Sequence, residues 1–482
     1  MTENREELKP NAWTRMGEGE AQAANDFNAG YLDFLSAVKT EREAVDYIAG
    51  LATKQGFKKL ADIDTIVPGQ KIFFEDKGKV CGLIVIGEEP LTQGVNLVAS
   101  HIDCPRLDLK ARPLYEADGQ VLLKTHYYGG IKKYQWVAIP LALHGVVVKP
   151  DGQITRLSIG ENVEDLVFTI SDLLPHLAKD QMEKKLGEAI KGEGLNALVG
   201  SRPGESERDP FKARIVELLK ERYEIEEDDF TSAELELVPA GPAREVGLDR
   251  SMVGAYGQDD RVCAYTSLVA ALEVEKPRRT AIALFVDKEE IGSTGNTGLQ
   301  SLLIENLMAE LLHKAGDTSY FAIRKSLMAS YCLSADVNSA VDPNYPEVFE
   351  KMNNSFMGNG LVVTKFTGSR GKSGSSDANP EFLAAIRQLF DGNGVTWQVG
   401  ELGKVDIGGG GTVAQYIAHY GMEVLDCGVA VLGMHSPFEV TSKADVYMAY
   451  KGYKAFMQSF GAAPAQAAKP AAKTTRSRRK QA

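Results

Sequence analysis

Five short segments of the chain set histidine and acidic residues at the ends of apolar runs. Ser100-His101-Ile102-Asp103 closes the run VNLVAS. In a strand, residues i and i+2 share a face, so His101 and Asp103 come near one another. A carboxylate beside a metal-bound imidazole fixes its orientation and raises its basicity; a hydrogen-bonded histidine at a strand end is the plainer alternative. Gly257-Gln258-Asp259-Asp260-Arg261 precedes an apolar helix expected over 262–272. Asp259 there either caps the helix or offers a carboxylate that bridges two cations. Asp287-Lys288-Glu289-Glu290-Ile291-Gly292-Ser293 follows the run AIALFV. Adjacent carboxylates at the end of a buried strand are costly unless something compensates them. Their side chains diverge, so one can bind a metal while the other accepts a proton from water. Asp336 follows the short run Leu333-Ser334-Ala335, where an Asx-turn is the alternative. His435 follows the apolar stretch 424–432, just ahead of Pro437.

Each segment alone has an ordinary structural explanation. Together they place two imidazoles and several carboxylates at strand ends, where open α/β sheets build active sites. Mixed nitrogen and oxygen ligands suit Zn²⁺, with Co²⁺ or Mn²⁺ as substitutes. Two such ions about 3.5–4 Å apart activate a water and stabilise a tetrahedral intermediate. Gly368-Ser369-Arg370-Gly371-Lys372-Ser373 looks superficially like a phosphate loop, but Phe366 stands where that motif needs its first glycine. Gly408–Gly411 before Thr412 is either a flexible turn or a set of backbone donors for a substrate carbonyl. His313 and His419 fall late in expected helices, His126 and His144 have no evident role, and Cys104 lacks a nearby base.

The elements that would position these groups alternate between strand and helix. Residues 81–86, 95–100 and 281–286 read as buried strands, and Asn379-Pro380 opens a helix through Leu389. Thr40-Glu41-Arg42-Glu43 is a capping box followed by helically spaced apolar residues. Such alternation indicates an α/β sandwich. The stretch 106–246 differs. Leu122–Tyr128 and Trp136–Val148 read as strands, Glu161–Glu224 as a charge-rich helical part, and Val238–Pro242 as a connector. It reads as an insertion into a discontinuous domain formed by 1–105 and 247–460. Residues 461–482, rich in Ala, Pro, Lys and Arg, read as a disordered basic tail.

At 482 residues the chain is long enough for several units and a large core. With 54 basic against 66 acidic residues it carries a net charge of −12, which argues against broad nucleic-acid binding. No run reaches the roughly 18 apolar residues of a membrane span. Five scattered cysteines fit free thiols in a reducing, cytoplasmic compartment.

The ordered set SHID, GQDDR, DKEEIGS, SADVNSAVDPNY and GMHSPFEV, with KTERE at 39–43, PHLA at 175–178 and LNALVGS at 195–201, resembles the M18 family of metallo-aminopeptidases, the aspartyl aminopeptidase group. The resemblance spans nearly all of 30–458. It implies a three-layer sandwich that binds two divalent metal ions, with an inserted β-rich dimerisation domain. It implies that His101, Asp259, Glu290, Asp336 and His435 bind metal, with Asp259 bridging. It implies further that Glu289 is the general base and that Asp103 supports His101. His176 matches a family histidine that reaches a neighbouring subunit's active site, in dimers that assemble into a dodecamer. The expected activity is hydrolysis of the N-terminal residue, acidic or neutral, of peptides. A related di-metal amidase or carboxypeptidase, or an inert assembly protein, is the alternative. Many members read Asp-Asn where this chain has Asp259-Asp260. Members specific for acidic residues carry a pocket lysine. Here either Thr364 removes that cation or Lys365 keeps it.

Overall fold

The strand Val95–His101, buried at every residue, lies at the centre of the molecule. It pairs in parallel with Thr280–Val286 on one side and Tyr331–Ser334 on the other, and the latter pairs in parallel with Glu423–Gly428. Strands covered on both faces read as continuous apolar runs rather than alternating ones, which is why these stretches stand out in the sequence. The computed structural model describes residues 11–461. Apart from Gly461, the expected basic tail lies outside the described residues.

The four parallel strands are the middle of a nine-stranded sheet. It extends through Val80–Val85, Lys71–Asp76 and Lys58–Lys59 on one flank, and through Leu361–Thr364 and Trp397–Val399 on the other. Successive side chains divide between two cores. Val98, Ala281, Ala283 and Phe285 pack with the helices Glu18–Ala37, Glu41–Lys54, Gln258–Glu273, Pro380–Gly392 and Lys443–Ser459. Leu97, Ala99, Ile282, Leu284 and Val286 pack with Leu303–Lys314 and Tyr320–Met328. The result is a three-layer α/β/α sandwich. Its local signals hold: Thr40 Oγ1 accepts the Glu43 N–H at 3.3 Å while Glu43 Oε2 accepts the Thr40 N–H at 3.1 Å. Asn379 does precede a helix but caps nothing; its amide goes to Glu423.

Between Val95–His101 and Met252–Ala255 the chain forms a second sheet of six antiparallel strands. In spatial order they are Ile154–Ile159, Leu141–Val148, Ala233–Pro239, Arg106–Ala117, Gln120–Tyr128 and Ala197–Gly200. They have their own core around Trp136, Leu143 and Leu237. Three expectations change here. The strand expected from Trp136 begins at Leu141, after a 3₁₀ turn. Val238 and Pro239 end a strand instead of forming a connector; Pro239 is its last residue, where no further N–H is needed. Within 161–224 only Pro210–Tyr223 is a helix of more than one turn. Pro175, Gly187, Gly192 and Gly194, all poor helix formers, fall within the short helical turns before it, and such short helices do not repay their nucleation cost. A third, five-stranded sheet runs Arg244–Val246, Met252–Ala255, Glu439–Ser442, Ala430–Leu432, Asn338–Ser339. All five cysteines are buried and free. Among the described residues, no helix is long and apolar enough to cross a membrane.

Candidate active site

Parallel register brings three strand ends side by side. His101 ends Val95–His101, Asp287–Glu290 follow Thr280–Val286, and Asp336 lies two residues beyond Tyr331–Ser334. Asp259 enters at the start of the helix Gln258–Glu273. Gly257 (φ 73°) is the N-cap, and Asp259 itself has non-helical torsions (φ −82°, ψ 108°) and does not serve as the cap. The Asp259–Asp260 peptide is cis. His435 sits in the left-handed region (φ 64°) between the paired strands Ala430–Leu432 and Glu439–Ser442.

These residues converge. His101 Nε2 lies 3.2 Å from Asp259 Oδ1 and 3.8 Å from both Glu289 Oε2 and Asp336 Oδ1. His435 Nε2 lies 3.2 Å from Asp259 Oδ2 and 3.4 Å from Glu290 Oε2. Asp259 therefore presents one oxygen to each imidazole. The outer nitrogens are tied to carbonyls: His101 Nδ1 to Asp103 O and His435 Nδ1 to Gly130 O, both at 2.9 Å. A carbonyl only accepts, so each Nδ1 carries a proton. In the neutral tautomer each Nε2 then aims a lone pair at carboxylates, which are acceptors too. Only a cation between them, a proton or a metal ion, reconciles that arrangement.

The electrostatics agree. Burial works against the protonated imidazoles, but Asp103 and Asp259 outweigh it at His101 and push its pKa well up. Asp259 and Glu290 likewise overcome burial at His435 and raise it to about 10. Burial also raises Asp259, but both imidazoles more than offset this and hold its carboxyl below the usual range. Burial, aided by neighbouring carboxylates, pushes Glu290 and Asp336 well up and Glu289 to about 7. Asp259 Oδ1 and Glu290 Oε1 are buried without a hydrogen bond. One oxygen or nitrogen each from His101, Glu289 and Asp336 lie within 4.8 Å of one another, as do those of His101, Asp259 and Glu290. The donor set and its orphaned oxygens fit divalent cations.

Two supports were not legible as functional in the sequence. Glu439 Oε2 accepts the N–H groups of Gln258 and Asp259 at 2.5 and 3.1 Å, and its Oε1 accepts that of His435 at 2.7 Å. One buried carboxylate thus clamps the backbone of two site residues. Its only sequence signal was its position in the GMHSPFEV segment. Tyr128 donates to Asp103 Oδ2 at 2.8 Å. Asp260 does not line the cavity over the site; it accepts the His101 N–H at 3.3 Å. Asp260 and Arg261 are both fully buried, and Arg261 donates to the Lys39 carbonyl.

A cavity of about 450 Å³ opens over Asp259, Glu289, Glu290, Asp336 and His435. Thr364 lines it, with Oγ1 accepting from Asn338 Nδ2 at 3.0 Å, whereas Lys365 is exposed and outside the lining. Gly408–Gly411 line it as well, but the helix that follows, Ala414–Ala418, has only 5 residues. His176 is not brought to this site. It sits on an exposed 3₁₀ turn, Pro175–Leu177, of the second sheet's peripheral chain. His144 is buried between Glu43 and Glu161, at 2.8 and 2.9 Å.

The family model for aminopeptidase I zinc metalloproteases (M18) matches residues 34–457. A probable M18 family aminopeptidase 1 from Clostridium acetobutylicum is 50% identical over 456 residues, 93% of this chain and 98% of that one. The crystal structure of an M18 aminopeptidase from Thermotoga maritima superposes with a TM-score of 0.90 at 43% identity, covering 94% of this chain and 99% of the other. That of aminopeptidase I from Clostridium acetobutylicum gives 0.87 at 47%, covering 93% and 99%.

Proposed function

The chain belongs to the M18 family of zinc metallo-aminopeptidases, and from that premise we propose that it removes N-terminal residues from peptides at a centre of two divalent cations. The observation that carries this reading is the pair of imidazole Nε2 atoms facing a shared carboxylate, with both Nδ1 atoms tied to carbonyls. Asp259 would bridge the ions, His101 and Asp336 completing one set and Glu290 and His435 the other. When bound, such ions lower the pKa of a water and polarise the scissile carbonyl. Zn²⁺ suits the ligands, and Co²⁺ or Mn²⁺ would substitute. Glu289 is the general base: its side chain is 19% exposed, towards the cavity, against 3% for Glu290. It takes the proton of the attacking water and returns it to the leaving amine. Asp103 holds His101 in the tautomer that leaves Nε2 free.

Thr364, not Lys365, lines the cavity, but Arg370, Lys372 and Lys404 line it too, so the proposed activity covers acidic as well as neutral N-terminal residues. We assign 1–105 and 247–460 to a catalytic domain and 106–246 to a dimerisation domain within a homo-oligomer, assembling as dodecamers as the family resemblance implies. Five free thiols support a reducing, cytoplasmic location. The test is removal of metal by a chelator and restoration by Zn²⁺, Co²⁺ or Mn²⁺, assayed on peptides with free and acetylated N-termini. Activity is expected only with metal and a free amine. Full activity in metal-free protein, or cleavage of blocked peptides, overturns the proposal.

A further inference from the structure

The last residues of the strand Gln120–Tyr128, though part of the second sheet, reach into the frame of the metal centre. The Tyr128 hydroxyl donates to Asp103 Oδ2 at 2.8 Å, out of contact with solvent. Asp103 is fully buried and has three further neighbours. Its Oδ1 accepts the Glu289 N–H at 3.1 Å, its Oδ2 accepts the Glu290 N–H at 3.2 Å, and its Oδ1 lies 3.4 Å from His101 Nδ1. We infer that Tyr128 is a positioning residue: its hydroxyl fixes the rotation of the Asp103 carboxylate, and Asp103 in turn sets the His101 ring and the backbone of Glu289 and Glu290. This inference rests on the metal-site reading above.

Several observations make the phenol a fixed donor and not an incidental contact. The Arg106 guanidinium stacks 3.9 Å from the centre of the Tyr128 ring. Arg106 is itself held where the second sheet meets the helix Glu41–Lys54, 3.3 Å from both Glu41 and Glu236 and 2.8 Å from Asp108. The ring is thus gripped on its face while its hydroxyl points at Asp103. Burial, together with the Asp103 charge, pushes the phenol pKa up, so the group stays a donor.

The next two residues extend the device. Gly129 (φ 76°) passes so close to Glu290 that an added Cβ would lie 3.2 Å from its Oε2. Gly130 supplies the carbonyl that ties His435 Nδ1. Three consecutive residues, the last of the strand and the two that follow it, therefore touch Asp103, Glu290 and His435. Without the Tyr128 hydroxyl, Asp103 Oδ2 would keep a single N–H partner and the carboxylate would lose the contact that opposes its rotation.

Tyr128→Phe keeps the ring and the stack and removes only the hydroxyl. In the full-length protein, Zn²⁺ affinity is measured by competition with a chromophoric chelator, alongside kcat, KM and melting of the metal-free protein. Asp103→Asn and the double variant are measured in parallel. Outer-sphere partners of metal ligands are worth about 10–100-fold in metal affinity or activity. Tyr128→Phe is expected to weaken Zn²⁺ binding by that order and to lower kcat with KM little changed. The double variant is expected to bind no more weakly than Asp103→Asn alone. Wild-type affinity in Tyr128→Phe, with Asp103→Asn weakened, overturns the role of Tyr128 and leaves the metal-site reading standing. Wild-type affinity in both single variants shows that Asp103 does not support the site and overturns the inference, whereas wild-type protein that binds no Zn²⁺ overturns the metal-site reading itself. Additive losses in the double variant, or a lower melting temperature with affinity intact, show that Tyr128 does not act through Asp103.

Discussion

Glu289 and Glu290 are neighbours in sequence but stand in different surroundings, and the difference assigns their work. Glu290 is 3.4 Å from His435 and 3% exposed, while Glu289 is 19% exposed at the cavity wall. Glu289→Gln should therefore lose at least ~10²-fold in kcat while keeping its zinc, because a proton acceptor is removed and no ligand is. Metal analysis beside kinetics checks this, and loss of zinc from that variant would show the two roles exchanged. Glu439→Ala should behave differently. It strands the buried N–H groups of Gln258 and Asp259, each at a cost of about 1–3 kcal/mol, and releases the half-buried N–H of His435. Lower melting temperature and weaker zinc binding are expected together, read by calorimetry and chelator competition. The two glutamates also show what the sequence discloses. Carboxylates at the end of an apolar strand are conspicuous. Glu439 accepts backbone N–H groups up to 181 residues away, and those donors become neighbours only in the folded chain.

At the level of elements, the parallel strands are legible because both of their faces are buried, and the helix Glu41–Lys54 because its capping box is local chemistry. The stretch 161–192 misleads for the opposite reason. Its charged composition suggests helix, yet Phe168 and Ile170 join the second sheet's core from extended chain, and the helices that do form are single turns. Where the second sheet meets the helix Glu41–Lys54, a pairing absent from any local pattern gives a pH dependence. His144, on the strand Leu141–Val148, is buried between Glu43 of the helix Glu41–Lys54 and Glu161. Burial lowers its pKa, but bonds to Glu161 and Glu43 outweigh this and raise it. The native state thus holds the proton more tightly than the unfolded chain, whose histidine titrates near about 6.5. The stabilisation is complete below that value and is lost as pH rises through the folded pKa. His144→Gln should flatten the decline in melting temperature between acidic and alkaline pH. A wild-type slope in that variant would mean other groups set it.

For the molecule as a whole, the most informative surface is the one that the single chain leaves bare. Val163, Leu174, Leu177, Met182 and Leu186 are exposed at 102, 49, 69, 76 and 59%, and His176 lies among them on its turn. Exposed apolar side chains gathered on one segment mark an interaction site rather than a finished surface. A second copy is the occupant that the proposed dimerisation domain supplies, so Leu177→Glu should shift the protein to smaller species in analytical ultracentrifugation. His176 has no place in its own chain's cavity, yet the family resemblance gives it a neighbour's active site, where it would donate a hydrogen bond to the developing oxyanion. A donor of that kind is worth about 10²–10³ in kcat. His176→Ala should lose activity on that scale with zinc content and assembly unchanged. Mixing His176→Ala with inactive Glu289→Gln protein, under conditions in which subunits exchange, should restore part of it. In a mixed dimer one site then combines its own Glu289 with the His176 of the other subunit. If exchange is verified and no activity returns, the shared site is wrong, and His176 is a packing residue or acts within its own chain.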